Sequence, residues 1–571
     1  MPGTGKPVLA RQTILEEPRG NGGAAFAGES IRINEGKVRL AFWIVGIVLA
    51  VMQAWTARAI VTADAIMYLD MSDGVASGWQ RLINAIWSPL YPWLLGLARM
   101  VMPGGFREIA MAHYVNVIVF VFTFACYEFF LKSLLDAAPE RDSPQAKMPR
   151  GAFLVMAYSI FLWSCIGQVT LKSLRPDMLM DGLLLLAAGI VVRILYGAPT
   201  WPNFLGLGVV LGVAYLAKAP MLVIGMILLA FTLVQWRQTL VKAVAAGVVL
   251  LAIGSLYYVP LSKQLGHFSL GESSSYNYLF HVNHASPSWY LNDVGSGKGK
   301  FLRAPARIYN NPPAYEFHYP QVTTHPLRFD PVYWTLGAKP RFTLSGQVWA
   351  VLENTELYAE MLLTAGGILA GVLLLWFVSA PGVAARHWAV WTLGLLGVAM
   401  YAAVHVEERY VGIFFSLVWL GLLAGMRFHQ DLSRRIVPAV ALGVAFSVLL
   451  PIGGETAYRF LEAFRSSRAD PDTQVATELK RMGVQPGTPV ARVSYMVTDL
   501  GWARLSRSTI VAEVEYERGD DFWESGEKTQ GEVLEAFSRA GARYVIGHPR
   551  GASAPPGWQR LGKTHFWIRP L

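Results

Sequence analysis

Four short stretches hold the residues whose types and spacing suit chemistry. Asp64 stands in Thr62-Ala63-Asp64-Ala65-Ile66-Met67-Tyr68-Leu69-Asp70, directly after the first long apolar run. Arg175 stands in Leu171-Lys172-Ser173-Leu174-Arg175-Pro176-Asp177, and Lys218 in Ala214-Tyr215-Leu216-Ala217-Lys218-Ala219-Pro220. Arg409 closes His405-Val406-Glu407-Glu408-Arg409-Tyr410. A carboxylate takes a proton from a hydroxyl, and fixed cations stabilise a phosphate as it departs. Asp64 facing Arg175, Lys218 and Arg409 would therefore suit displacement of a lipid phosphate, with Tyr68, Asp70, Asp177, Glu407 and Glu408 in support.

Each stretch also has a plainer explanation. Thr62 or Asp64 can cap a helix. Arg175 can anchor a span at the interface, with Pro176 and Asp177 in the first turn of the next helix. Lys218 can snorkel to the membrane surface. Glu407 or Glu408 can pair with Arg409, which contributes little at a surface. What lifts all four above these readings is the topology, which brings them to one membrane boundary.

That topology rests on composition. Of 571 residues, 53% are hydrophobic and 15% charged, with the apolar residues gathered in long runs, the pattern of a polytopic membrane protein. The net charge of +10 lies largely beside those runs, which points to the lipid bilayer and excludes nucleic acid as the partner. Cys126 and Cys165 both fall inside apolar runs, so no disulfide framework or thiolate zinc site is expected.

Residues 1–36 read as a disordered cytoplasmic tail with no signal peptide. About eleven apolar runs follow, each near the roughly 20 residues needed to cross a bilayer, within a transmembrane domain spanning 37–455. Lys132, Arg193, Arg237, Lys242, Arg386 and Arg427 fall in connections on the side of the N-terminus, which the positive-inside rule makes cytoplasmic. The other side then holds a first outer loop at 57–109, a large outer loop at 263–355 and a C-terminal extracytoplasmic domain at 456–571. The large loop is rich in Tyr, Trp, His, Asn and Pro, and suits a cap over a site at the membrane surface. In the last segment, strands at Pro489–Val493, Ile510–Val514 and Tyr544–Ile546 alternate with helices at Val475–Met482 and Glu532–Ala540. The fold class expected is an all-α polytopic membrane protein carrying a small C-terminal α/β domain.

Other motifs are weaker. Trp87-Ser88-Pro89-Leu90-Tyr91-Pro92-Trp93 suits an interfacial aromatic belt as well as a site. His281 and His284 lack a third ligand of matching spacing, and no metal site is predicted there. Asp70 and Asp73 offer hard oxygens for a divalent cation, but without an Asp-x-Asp pattern no cofactor is assigned and a divalent cation stays open. The sequence has no Walker A motif, nucleophile elbow or dinucleotide fingerprint.

Taken in order, the first-loop Asp64 with Tyr68, Pro89-Leu90-Tyr91-Pro92, Arg175-Pro176-Asp177, Leu216-Ala217-Lys218-Ala219-Pro220 and Glu407-Glu408-Arg409-Tyr410 resemble the GT-C superfamily of membrane glycosyltransferases. The nearest branch is the family 39 or RgtA/B/C/D-like group, which includes protein O-mannosyltransferases and the lipid A aminoarabinose transferase. The resemblance covers roughly residues 38 to 430. It implies inverting transfer of a sugar from a polyprenyl-phosphate donor to a protein, lipid or glycan acceptor at the outer face of the cytoplasmic membrane. It further implies Asp64 as the base, with Arg175, Lys218 and Arg409 near the donor phosphate. Two other classes compete: a transporter or flippase of a lipid-linked saccharide, which favours polar residues at the centres of spans, and a non-catalytic envelope-assembly protein docking through its C-terminal domain.

Overall fold

The structure, a computed structural model, describes residues 33–77, 83–102, 108–137, 146–284, 305–317, 323–330, 338–382, 385–465, 470–496, 498–551 and 556–571. The expected tail therefore lies outside the described residues up to position 32. Helix α1, Glu35–Thr56, starts just after it, capped by the Asn34 side chain accepting from Lys37 N. The chain is a mostly helical, multi-pass membrane protein whose C-terminal region carries a mixed β-sheet.

Each of the eleven expected apolar runs is helical, but they do not make eleven full spans. Among the described residues seven helices are long and apolar enough to cross a bilayer, or eight if one bent pair is counted as a span. The bent pair, Leu344–Thr364 and Gly366–Val378, turns by 79°. Trp201–Ala217, Met221–Thr232 and Trp388–Ala402 are apolar yet shorter, because the Pro, Gly and polar residues at their ends cut them before about 18 residues. The bent pair also begins at Leu344, inside the loop expected to run to 355.

The helices that matter for the site pack tightly. We label them α2, Ala63–Ser72; α3, Leu90–Val101; α4, Glu108–Asp136; α5, Arg150–Leu162; α6, Asp177–Tyr196; α7, Trp201–Ala217; α8, Met221–Thr232; α9, Trp388–Ala402; and α10, Glu408–Gly425. A π-helical turn, Trp163–Val169, follows α5. α6 lies close against α4 because glycines face the contact: a Cβ on Gly182 would sit 2.7 Å from Thr123 Oγ1, and one on Gly189 would sit 2.8 Å from Phe129 Cδ1. Small residues at such spacing let two membrane helices approach. The side chain of Thr123 donates to Met178 O at 2.8 Å across the same contact.

The long helix α11, Gln430–Arg465, carries Pro438 and Pro451 and runs past Gly454, where the membrane domain was expected to end. Beyond it come α12, Pro471–Arg481; α13, Gly501–Ser506; α14, Gly519–Glu524; and α15, Glu527–Arg539. Nine strands occur among the described residues: β1, Ala146–Lys147; β2, Ala306–Asn310; β3, Pro313–Glu316; β4, Arg427–Phe428; β5, Pro489–Ser494; β6, Thr509–Val514; β7, Tyr544–His548; β8, Gln559–Arg560; and β9, Trp567–Pro570. β1 and β4 pair with each other, and the remaining seven form one sheet in the order β2-β3-β6-β5-β7-β9-β8.

The three C-terminal strands read from the sequence are the parallel centre of that sheet, β6-β5-β7. Their Val, Ile and Ala residues are buried between helices on both faces, as parallel strands require. The edge strand β2 and its neighbour β3 come from the large loop, with Ala314 of β3 opposite Val514 of β6 in antiparallel register. The loop is thus built into the sheet here, where an irregular cap was expected; its residues 285–304, 318–322 and 331–337 lie outside the described residues.

Candidate functional site

α2 starts at Ala63 because Thr62 caps it, its hydroxyl accepting from Ala65 N at 3.3 Å. The cap is Thr62, and Asp64 is left in the first turn, half-buried and without a hydrogen-bond or ion-pair partner among the described residues. One turn on, Tyr68 is buried and packs edge-on against Tyr91, with ring centres 5.4 Å apart. Burial, and then the charges of Asp64 and Asp177, push the Tyr68 phenol well above its ordinary 10.0.

Asp177 opens α6 and is only 1% exposed. Lys218 Nζ, at the C-terminal end of α7, donates to its Oδ1, and Arg409 Nη1 approaches its Oδ2 at 3.3 Å. Arg409 also forks onto Glu407, Nε to Oε2 at 2.5 Å and Nη2 to Oε1 at 2.7 Å. The same Nη2 donates to the Tyr410 hydroxyl at 2.8 Å, while Lys218 Nζ lies 3.7 Å from the centre of the Tyr410 ring. Burial works against the Glu407 charge, but the hydrogen bond with His405 and the Arg409 guanidinium hold its carboxyl below the usual range. Glu408, by contrast, is exposed and has no partner among the described residues.

Arg175 belongs to the same cluster by its field, since its charge lowers both Asp177 and Glu407 in energy as carboxylates. Yet its Nε is buried without a hydrogen-bond partner, and it forms no ion pair among the described residues. Burying a guanidinium N–H unpaired costs free energy, so a site that keeps one is set to receive an acceptor.

The loop carrying Arg175 is held by residues that sequence reasoning missed. Gln53 in α1 donates to Ile166 O at 3.0 Å and accepts from Leu171 N at 2.9 Å. The ring nitrogens of His113 contact Leu171 O and Ile60 O at 3.1 and 3.0 Å, bridging this loop to the segment that leads into α2. Asn116 donates to Ser173 O at 3.0 Å and accepts from the Tyr91 hydroxyl at 2.7 Å. Gln53 in α1, and His113 and Asn116 one turn apart in α4, are polar residues inside apolar helices, and a polar residue inside a span is itself the signal that would have found them.

No family model and no curated protein matches the sequence. Among solved structures the chain is similar to ArnT from Cupriavidus metallidurans bound to undecaprenyl phosphate, with 13% identity and a TM-score of 0.44 over 94% of this chain and 98% of that one. It is similar to the same protein in the apo state, with 13% identity and a TM-score of 0.40 over 93% and 98% of the two chains. It is also similar to the Archaeoglobus fulgidus oligosaccharyltransferase in complex with zinc and sulfate, with 12% identity and a TM-score of 0.48 over 90% and 68%. These likenesses concern the fold alone.

Asp70 lies apart from the cation cluster. Its Oδ1 accepts from Arg504 Nη1 at 2.6 Å and from the Thr324 hydroxyl at 2.8 Å, and its Oδ2 from Thr324 N at 3.0 Å. Asp73 accepts from Arg504 and from Arg507, and Glu108 accepts from the same two guanidiniums at 2.5 and 3.1 Å. Arg99 adds a third guanidinium beside Asp73 and Glu108. The oxygens that sequence reasoning offered to a divalent cation are thus met by Arg504 and Arg507 of the C-terminal sheet region, which they fasten to the end of α2. Among the described residues no group of three or more His, Cys, Asp and Glu is arranged to hold a metal ion.

Proposed function

We propose that this chain is a membrane glycosyltransferase that moves a sugar from a polyprenyl-phosphate donor to an acceptor hydroxyl. The observation that carries the reading is Arg175, a half-buried guanidinium with an unpaired Nε beside Asp177 and Glu407. Arg175, Lys218 and Arg409 bring three fixed cations to Asp177 and Glu407, and the unpaired Arg175 Nε offers a charge-assisted hydrogen bond to an acceptor oxygen. A polyprenyl-phosphate sugar is a phosphodiester whose non-bridging oxygens are such acceptors.

Transfer follows from the same arrangement. The acceptor oxygen attacks the anomeric carbon as the bond from that carbon to the phosphate oxygen breaks. The bonding pair leaves with the phosphate, which becomes a monoester with a second negative charge, and the three cations stabilise the charge as it develops. The acceptor proton passes to the Asp64 carboxylate, which has no partner to displace. Tyr68 feels the charges of both Asp64 and Asp177, and its raised phenol stays neutral as a hydrogen-bond donor. The reaction would take place at the outer face of the cytoplasmic membrane, with the N-terminus inside.

Full-length protein in proteoliposomes, given labelled polyprenyl-phosphate sugars and hydroxyl acceptors, tests the reading. Wild type transfers label, while Asp64→Asn and Arg175→Ala transfer it far more slowly. Full transfer by correctly folded Asp64→Asn overturns Asp64 as the base. Movement of the intact lipid-linked sugar across the membrane, without transfer, overturns the reaction itself.

A further inference from the structure

β5 and β7 lie side by side and parallel at the centre of the C-terminal sheet, with Ser494 opposite His548 at their last residues. From there the chain leaves in opposite directions. β5 continues through α13 to β6 on one side, and β7 continues to β8 and β9 on the other. Two neighbouring parallel strands whose connections part in this way open a crevice beyond their carboxyl ends, which is where open α/β sheets take ligands.

The side chains at this point are polar and reach solvent. His548 Nδ1 donates to Asp499 Oδ2 at 2.5 Å, and the Ser494 hydroxyl donates to the same oxygen at 2.6 Å. These bonds fix the imidazole and the carboxylate while leaving Asp499 Oδ1 and His548 Nε2 without a partner among the described residues; the two side chains are 12% and 14% exposed. The Tyr495 ring stands 5.1 Å from that of His548. Asp472 joins from the first turn of α12, where its Oδ1 accepts from Trp502 N at 3.0 Å and it feels the charges of Asp499 and His548. Its Oδ2 lies where a Cβ on Gly501 would collide with it, so only glycine fits at that position. Gly501 also abuts Val61: the same Cβ would sit 2.8 Å from Val61 Cγ1. Val61 precedes Asp64 by three residues, a backbone distance of about 10 Å at most. The crevice thus opens beside the segment that leads to the proposed base.

We propose that Asp472, Tyr495, Asp499 and His548 bind a neutral saccharide, the acceptor whose hydroxyl is deprotonated at Asp64; its role as acceptor rests on the glycosyltransferase reading above. A sugar carries hydroxyl donors on neighbouring carbons, and the unpartnered carboxylate oxygens and ring nitrogen are acceptors held at fixed positions to meet them. The aromatic rings of Tyr495 and His548 offer an apolar wall to the C–H face of the sugar, and a few placed polar groups beside such a wall make a selective small-molecule site. The two carboxylates disfavour an acidic ligand, which separates this crevice from the cation cluster at Asp177.

The test uses purified full-length protein in a polyoxyethylene detergent, which carries no sugar, at pH 8, where Asp472, pushed up to about 7 by burial, is ionised. Titration calorimetry without any donor reads binding of maltose, lactose and mannobiose, with glucuronate as the acidic probe. At least one neutral disaccharide is expected to bind, about tenfold more tightly than glucuronate. Tyr495→Ala and Asp499→Asn should each weaken that binding about tenfold and, in the transfer assay, raise the acceptor KM by the same factor with the donor KM unchanged. Tyr495 is half-buried and lies beyond the end of β5, so its variant stays informative if Asp499→Asn prevents folding. No binding of the three disaccharides, binding equal in both variants, or glucuronate bound as tightly overturns the site, and transfer to a non-saccharide hydroxyl is untouched by that result. A disaccharide that binds wild type and receives no label overturns the acceptor role.

Discussion

Arg504 Nη1 donates to Asp70 Oδ1 at 2.6 Å, joining residues 434 apart in sequence with side chains 2% and 0% exposed. The contact fastens the sheet to the helix that carries Asp64, so the C-terminal domain sets where the proposed base stands. Removing one partner of a buried pair leaves the other charge uncompensated and costs about 3–5 kcal/mol. Arg504→Met should therefore lower the thermal midpoint sharply, with Asp70→Asn on the same chain recovering part of the loss. A midpoint equal to wild type would refute a docking role.

Arg175 and Arg409 should behave differently when removed, although both face the same phosphate in the proposed reaction. Arg409 is held by Asp177, Glu407 and the Tyr410 hydroxyl, so Arg409→Ala takes a cation from two carboxylates, leaving Asp177 to Lys218 and Glu407 to His405, and destabilises the fold. Arg175 makes no ion pair among the described residues, so Arg175→Ala should leave Tm near wild type and lower transfer about 10²–10³-fold, the usual effect of one stabilising donor. Measuring Tm and labelled-sugar transfer on both variants separates the roles. Equal loss of stability in the two would count against Arg175 as the group left open for ligand.

Stability should also depend on pH through the C-terminal domain. Burial, and then the neighbouring charge of Asp470, pushes the Asp472 carboxyl from 3.8 up to about 7. Burial and the charge of Glu517 likewise push Glu515 up to about 7, and neither of its oxygens has a hydrogen-bond partner. A carboxyl raised in the folded state keeps its proton where the unfolded chain has lost it. Its contribution is therefore full below about 4, and is lost as pH rises through about 7. Compared with wild type, Asp472→Asn with Glu515→Gln should show a flatter Tm across that window. Parallel pH profiles would contradict the assignment.

The parts of this molecule that were legible in sequence are those set by hydrophobic run length and local chemistry. The apolar runs gave the helices, and Val, Ile and Ala between turn residues gave the central strands β5, β6 and β7. Lys218 and Arg409 were brought together with Asp177 because all three sit at helix ends on one side of the bundle. Long-range pairing was not legible. Nothing local in the hairpin of Ala306–Asn310 and Pro313–Glu316 says that its second strand joins β6, nearly 200 residues later, since strand pairing depends on the partner's register. Asp70 illustrates the same limit: its sequence neighbours suggested a site beside Asp64, while its partner Arg504 lies 434 residues later, in the C-terminal sheet region. Nor does hydropathy separate a full span from a shorter buried helix, as α7, α8 and α9 show.

Asn116 tests whether the loop under Arg175 must be held still for transfer. Its amide links Ser173 O to the Tyr91 hydroxyl, and Tyr91 in turn packs against Tyr68 on α2. The side chain thus connects the loop presenting Arg175 with the helix presenting Asp64. Asn116→Ala removes the donor to Ser173 and strands the Tyr91 hydroxyl, two neutral hydrogen bonds of about 1 kcal/mol each. Because Arg175 is on the donor side of the proposed reaction, the expected result is a KM for the polyprenyl-phosphate sugar raised about tenfold, with the acceptor KM nearly unchanged. Tyr91→Phe keeps the bond to Ser173 and removes only the hydroxyl, so its donor KM should rise less. If the two variants raise both KM values equally, Asn116 stabilises the helix bundle generally and does not position Arg175.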